Sequence, residues 1–98
     1  QNRYSMDEVV RPGENPYDTI TYVKFDMKPV NGVVYCKFGD QGTYKDGKRD
    51  GLWRQWWDNG QLQGEENYKD GKRDGLWREW WWEGKLRWEG NCSIYSDL

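Results

Sequence analysis

The sequence predicts an all-β fold: an elongated meander of antiparallel β-hairpins in a single-layer sheet of repeated units. Three observations predict it. The run YKDGKRDGLWRQWW at residues 44–57 recurs at 68–81 as YKDGKRDGLWREWW, an offset of 24 residues with only Gln55 exchanged for Glu79. Self-similarity at a fixed period marks units that cannot bury an apolar face alone and therefore stack. Short runs are punctuated by Asp46-Gly47, Asn59-Gly60 and Asp70-Gly71, dipeptides suited to hairpin turns. No segment sustains the 3.6-residue period of a helix, and Trp and Tyr favour strands.

The elements follow in order. Residues 1–29 form an N-terminal segment. Its first 18 residues carry Arg11-Pro12-Gly13 and Asn15-Pro16 and no periodicity, which predicts irregular or extended chain. Residues 19–26 (TITYVKFD) are β-branched and aromatic and predict a strand. Asn31-Gly32 then predicts a turn into a strand at 33–38, giving a hairpin. Residues 30–98 divide into units at about 30–50, 51–74 and 75–98. In the second unit 51–57 is a strand, 58–60 a turn and 62–68 the return. Residues 69–74 connect to the third unit, where 75–81, Glu83-Gly84 and 86–92 repeat the plan.

The first unit is a degenerate copy: 32–38 aligns with 51–57, and Gly42-Thr43-Tyr44 with Glu66-Asn67-Tyr68, but Gly39-Asp40-Gln41 shortens the hairpin. Gly47 and Gly71 are expected in turns that need φ > 0. Gly51 and Gly75 are expected where a Cβ would collide with a neighbouring ring. The charged stretches 45–50 and 69–74 are expected as solvated loops. Lys48, Arg49, Lys72 and Arg73 would form the basic edge if the chain bound phospholipid.

Composition bounds the function. Ninety-eight residues allow one domain; only 35% are apolar and 33% are charged, while eight Trp and seven Tyr can supply the missing core. A net charge of −2 gives no general attraction to nucleic acid or anionic lipid. No stretch approaches the roughly 20 apolar residues that span a bilayer. The chain opens on Gln1 without an initiator Met, as a trimmed or exported chain would, with an extracytoplasmic location favoured. Cys36 and Cys92 fall several strands apart, beyond the roughly 7 Å Cα limit of a bridge, so both are expected unpaired.

The absence of His removes the commonest general base and metal ligand. The cysteines and Ser93 and Ser96 lack a base, and Glu65 and Glu66 point to opposite faces. The Asp-Gly-Lys-Arg-Asp-Gly run lacks the alternating oxygen ligands of a calcium loop. No catalytic, cofactor-binding or metal-ligating residue is therefore expected.

Tyr-x-Asp-Gly-Lys-x-x-Gly-x-Trp, followed by an aromatic pair and then x-Gly before Leu, resembles the MORN repeat, most closely its bacterial variant type. The likeness covers residues 30–92. It implies a curved sheet of hairpins used for interaction or scaffolding rather than catalysis; some bacterial relatives carry an antitoxin label that nothing in these residues explains.

Alternation places Leu52, Arg54 and Trp56 on one face and Trp53, Gln55 and Trp57 on the other. Both faces thus carry rings, which adjacent units can stack as a core or present as a docking surface. The expected partner-binding residues are Trp53, Trp56, Trp57, Trp77, Trp80, Trp81, Trp82 and Trp88. Trp82 and Trp88 are the sharpest, because they replace Asp58 and Gly64 of the preceding copy. The expected partner is another protein or a second copy of the chain, with an open edge strand near 86–95 adding a partner strand. The alternatives are a glycan or choline-type ligand on a Trp platform and association with a membrane surface.

Overall fold

Two adjacent residues with φ > 0 make the tightest hairpins of the chain. The computed structural model describes residues 2–13 and 20–92. In it Asp46 and Gly47 have φ of 52° and 79°, and Asp70 and Gly71 have 51° and 84°. These are type I′ turns, whose twist matches that of the flanking strands. Strand ladders therefore begin immediately beside them, at Lys45↔Lys48 and Lys69↔Lys72.

The strands, in chain order, are β1 (Arg3–Ser5), β2 (Val9–Val10), β3 (Tyr22–Val23), β4 (Gly32–Cys36), β5 (Gly39–Lys45), β6 (Lys48–Trp56), β7 (Leu62–Lys69), β8 (Lys72–Trp80) and β9 (Leu86–Cys92). A single 3₁₀ turn, Met6–Glu8, separates β1 from β2. One seven-stranded sheet runs β1-β4-β5-β6-β7-β8-β9, and β2 pairs with β3 apart from it. From β4 onward every neighbour is antiparallel and consecutive, so the fold is the all-β hairpin meander that the repeat predicts.

The tips of the later units, after Trp57 and after Trp81, are three-residue loops. The Gly60 N–H donates to Trp57 O (3.0 Å) and the Trp57 N–H to Gln61 O (2.8 Å); Gly84, Trp81 and Lys85 repeat this at 2.9 and 2.8 Å. Gly60 and Gly84 lie at φ 87° and 95°, the left-handed position that ends such a loop. Each return strand then carries one extra residue, Gln63 or Arg87, where the register shifts.

Three expectations are corrected. The KRD stretches are not solvated loops: only Asp46-Gly47 and Asp70-Gly71 turn, and Lys48, Arg49 and Asp50, like Lys72, Arg73 and Asp74, are strand residues. I′ geometry needs only two residues, so the rest pairs. Gly51 and Gly75 do not avoid a collision. A Cβ on Gly51 would meet nothing within 4 Å and one on Gly75 only Asn67 at 3.7 Å, but their φ of 80° and 94° bends each long strand where only glycine bends cheaply.

The expected hairpin between 19–26 and 33–38 does not form either. Within 20–26 only Tyr22–Val23 is strand, and it pairs with β2. Residues 24–27 turn back on themselves, with the Met27 N–H donating to Val23 O and the Val23 N–H to Lys28 O. Thr19, Ser93, Ser96 and the part of the edge strand and last unit beyond residue 92 lie outside the described residues. The turn of the first unit falls at Lys37 and Phe38, ahead of Gly39.

The N-terminal segment joins the repeats through β1, which pairs in parallel with β4 (Arg3↔Val33 to Ser5↔Tyr35). Residues 20–30 brace the first I′ turn: the Thr21 N–H donates to Gly47 O and the Gly47 N–H to Val30 O, both at 2.9 Å. One unit later the Gly71 N–H donates to Arg49 O at 3.0 Å. Each I′ turn thus leans on the carbonyl that lies two residues before the preceding unit's bending glycine. Among the described residues the buried apolar ones are Val30, Val34 and Trp53, a core formed by the first unit and the strand β6 that pairs with it. Cys36, at the end of β4, is a free thiol.

Candidate interaction surface

The pairing of β6 to β9 sorts the repeated residues onto two faces. One carries the rungs Leu52↔Asn67, Arg54↔Glu65, Leu76↔Asn91 and Arg78↔Glu89; the other carries Trp53↔Glu66, Gln55↔Gly64, Trp77↔Gly90 and Glu79↔Trp88. Glu65 also pairs with Arg78, so the first face holds an alternating row Arg54, Glu65, Arg78, Glu89. Its ion pairs are Arg54–Glu65 at 2.8 Å and Arg78–Glu89 at 2.6 Å. These half-exposed pairs set register rather than stability, since exposed pairs are worth about 0–1 kcal/mol each.

On the second face the two repeated tryptophans part company. Gly42, Glu66 and Gly90 occupy equivalent positions of successive units, and each Trp lies beside the glycine and away from the glutamate. A Cβ on Gly42 would sit 2.6 Å from Trp53 Cγ, and one on Gly90 3.0–3.1 Å from the Trp77 indole. Trp53 thus leans toward β5 and is 5% exposed. Its indole N–H donates to Thr43 O (3.0 Å), the Tyr44 ring meets it edge-on at 4.8 Å, and the Arg49 guanidinium lies 4.6 Å above it. Trp77 leans toward the edge strand, stays half-buried, and meets Trp88 at 5.6 Å.

Glu66, between them, accepts from Arg73 Nε (2.9 Å) and the Tyr68 hydroxyl (2.6 Å). Burial, with Glu66 beside it, pushes the Tyr68 hydroxyl above its ordinary value. Rings of successive units therefore do not stack on one another here; a carboxylate separates them.

The eight expected tryptophans divide by exposure. Trp53 is buried, its ring covered by Gly42, Thr43 and Tyr44 of β5 and by Arg49 of β6. Trp56, Trp57, Trp77 and Trp80 are half-buried. Trp57 ties the two hairpin tips together by donating its indole N–H to Trp80 O (3.1 Å), and Asn59 Nδ2 donates to Trp82 O (2.8 Å). Trp56 faces Phe38 at 6.3 Å.

Trp81, Trp82 and Trp88 are exposed at 45, 62 and 53%, with Leu86 beside them at 52%. All four belong to the last hairpin. Trp81 lies under Arg87 at 4.5 Å. Trp82 borders a cleft of about 340 Å³ that it shares with Trp56, Trp57, Asp58, Asn59 and Gln63 of the preceding tip. The outer side of β9 pairs with no strand among the described residues. Sequence reasoning missed Arg49, Tyr68 and Glu66 as a linked group. The signal available was the Gly42/Glu66/Gly90 exchange, which decides where each ring and each arginine goes.

Residues 49–70 match the model of the MORN repeat variant, the segment from Arg49 in β6 to Asp70 at the second I′ turn. Neither a curated protein nor a solved structure matches the chain. Repeats of this family are generally modules for protein or membrane interaction and generally non-enzymatic. Residues 49–70 are thus similar to a MORN repeat variant, in keeping with the all-β hairpin sheet, and residues 68–81 repeat the run at 44–57 almost unchanged.

Proposed function

We propose that the chain is a non-enzymatic interaction module that docks another protein on its last hairpin. The single observation behind this reading is the gathering of exposed rings, Trp81, Trp82 and Trp88, with Leu86, beside a strand edge. Contiguous exposed apolar area at an edge favours a protein that adds a strand, because backbone bonds give affinity and neighbouring rings give specificity.

The charge row suggests what that strand carries. It alternates Arg54, Glu65, Arg78 and ends on Glu89, so an incoming strand with a basic residue opposite Glu89 continues the alternation. An apolar neighbour of that residue would fall on the opposite face, against Trp88. A glycan or choline-type ligand remains the second reading, and the tip cleft beside Trp82 is where it would sit. A membrane surface is the third.

The test is affinity capture from native extract with the wild-type chain and with Trp82→Asp/Trp88→Gly, which writes the preceding copy's residues into the last hairpin. A discrete partner held by the wild type and lost by a variant that still unfolds cooperatively supports docking. Equal capture by both chains contradicts it. A Trp fluorescence response to glycans or choline, or sedimentation with anionic vesicles, would favour the other readings instead.

A further inference from the structure

A second site lies away from the last hairpin, in front of Arg49. Arg49 and Arg73 are equivalent residues of the two copies, and each guanidinium lies over the Trp four residues on, at 4.6 and 4.7 Å. Their charges are met differently. Arg73 pairs with Glu66 at 2.9 Å. The residue equivalent to Glu66 one unit earlier is Gly42, and the space over it is filled by the Trp53 ring. Among the described residues no carboxylate pairs with Arg49. Its hydrogen-bond partner is a hydroxyl: NH1 donates to Tyr68 OH at 3.2 Å, and Tyr44 is its neighbour across the β5–β6 ladder.

A half-buried cation with only neutral partners is unusual, since buried charge is normally paired. Arg49 faces a cavity of about 450 Å³, lined also by Met6, Val9, Val10, Arg11, Thr21, Tyr44 and Tyr68, which is within the range of small-ligand sites. The Tyr68 hydroxyl is committed, donating to Glu66 and accepting from Arg49. Tyr44 lies directly opposite Arg49 in the β5–β6 ladder and lines the same cavity, where its hydroxyl can donate to a ligand. Two rings hold the guanidinium plane, Trp53 at 4.6 Å and Tyr68 at 5.3 Å. A fixed planar fork suits bidentate recognition of a carboxylate.

We propose that this cavity binds a monoanionic carboxylate attached to an apolar group. Arg49 and the Tyr44 hydroxyl take the carboxylate, and Met6, Val9 and Val10 take the apolar part. Arg11 lines the cavity from an exposed position, whereas the Arg49 guanidinium is half-buried and its planar fork matches the two oxygens of a carboxylate. The free acid of a small molecule and the C-terminal end of a peptide present the same chemistry.

The test is titration of the full chain, followed by Trp fluorescence and calorimetry, with N-acetylphenylalanine and its amide. A short peptide ending in Leu-Phe, as acid and as amide, forms the second arm. The acids should bind, and each amide should bind at least about tenfold more weakly, the loss of one charge-assisted interaction. Arg49→Lys should lower affinity by a similar factor. Met6→Glu, at an exposed position on the cavity rim, should abolish binding while leaving the melting curve unchanged, because it supplies the carboxylate from within the chain. The tighter acid identifies the source.

Equal affinity for acid and amide, full binding by Met6→Glu, or equal competition by inorganic phosphate would overturn the proposal.

Discussion

Adding one methyl group at Gly42 and at Gly90 should have unequal consequences, although the two positions are equivalent in the repeat. At Gly42 the new Cβ falls within the Trp53 ring, 2.6 Å from Cγ. Trp53 cannot step aside without giving up its hydrogen bond to Thr43 O, its edge contact with Tyr44 and its cover by Arg49. Overpacking alone costs about 1–3 kcal/mol, the hydrogen bond about 1 kcal/mol and the ring pair about 0.5–1.5 kcal/mol. We predict a loss of about 3 kcal/mol for Gly42→Ala. At roughly 4–8 °C per kcal/mol for a domain of this size, the midpoint falls by about 12–24 °C.

At Gly90 the Cβ would lie 3.0–3.1 Å from a half-buried Trp77, which can slide by a few tenths of an ångström toward solvent. There we predict a loss below about 1 kcal/mol. Urea unfolding followed by Trp fluorescence, with near-UV circular dichroism for the native ring environment, measures both. Equal losses, or a harmless Gly42→Ala, would refute the claim that these glycines direct the two rings.

The other predictions concern turns, bends and pH. Gly47→Ala should cost more than Gly71→Ala: both lose a φ > 0 glycine, about 1–2 kcal/mol, but at Gly47 the Cβ also meets Ile20 Cγ2 at 2.7 Å and Thr21 O at 2.9 Å; thermal melts of the two variants rank them. Gly51→Ala should cost only the strain of φ 80°, about 1–2 kcal/mol, and Gly51→Asn less than Gly51→Ala; a far larger loss in denaturant melts would restore the collision reading. The Tyr68 hydroxyl, raised in the folded state by burial and then by Glu66, ionises first in the unfolded chain. Its contribution is therefore complete below about pH 10 and is lost as pH rises from there through the folded value. Tyr68→Phe should flatten that part of the stability profile, measured by urea unfolding at stepped alkaline pH.

Much of the fold was legible because the repeat and its turns are local signals. Asp46-Gly47, Asp70-Gly71 and residues 58–60 each specify a loop geometry, and strand alternation between them follows. What escaped reading depends on distant partners. The pairing of Arg3–Ser5 with β4 involves three residues with no periodic pattern. The run TITYVKFD has strand composition, yet Tyr22–Val23 pairs with β2 and residues 20–30 brace the turn at Gly47.

The site was legible in part. Trp82 and Trp88 stood out as departures from the preceding copy, and both are exposed. Trp88 also packs on Trp77, so it contributes to the hairpin as well as to its surface. Trp53 could not be told from Trp77 by its own neighbours in sequence, which are identical for nine residues before it and one after. The difference lies on the neighbouring strands, in Gly42 against Glu66 and Glu66 against Gly90. The same exchange leaves Arg49 without the carboxylate that Arg73 has.

The central claim is that the repeated residues build the sheet and the departures from repetition bind. A chain in which 82–85 and residue 88 are replaced by Asp58-Asn59-Gly60-Gln61 and Gly64, giving the last hairpin the tip of the one before it and removing Trp82 and Trp88, tests this most directly. Its unfolding free energy and its capture of the wild-type partner are measured side by side. We predict a folded chain within about 2 kcal/mol of wild type, the loss being that of the Trp77–Trp88 ring pair and a strand glycine, with capture abolished. Undiminished capture by this chain would contradict the account.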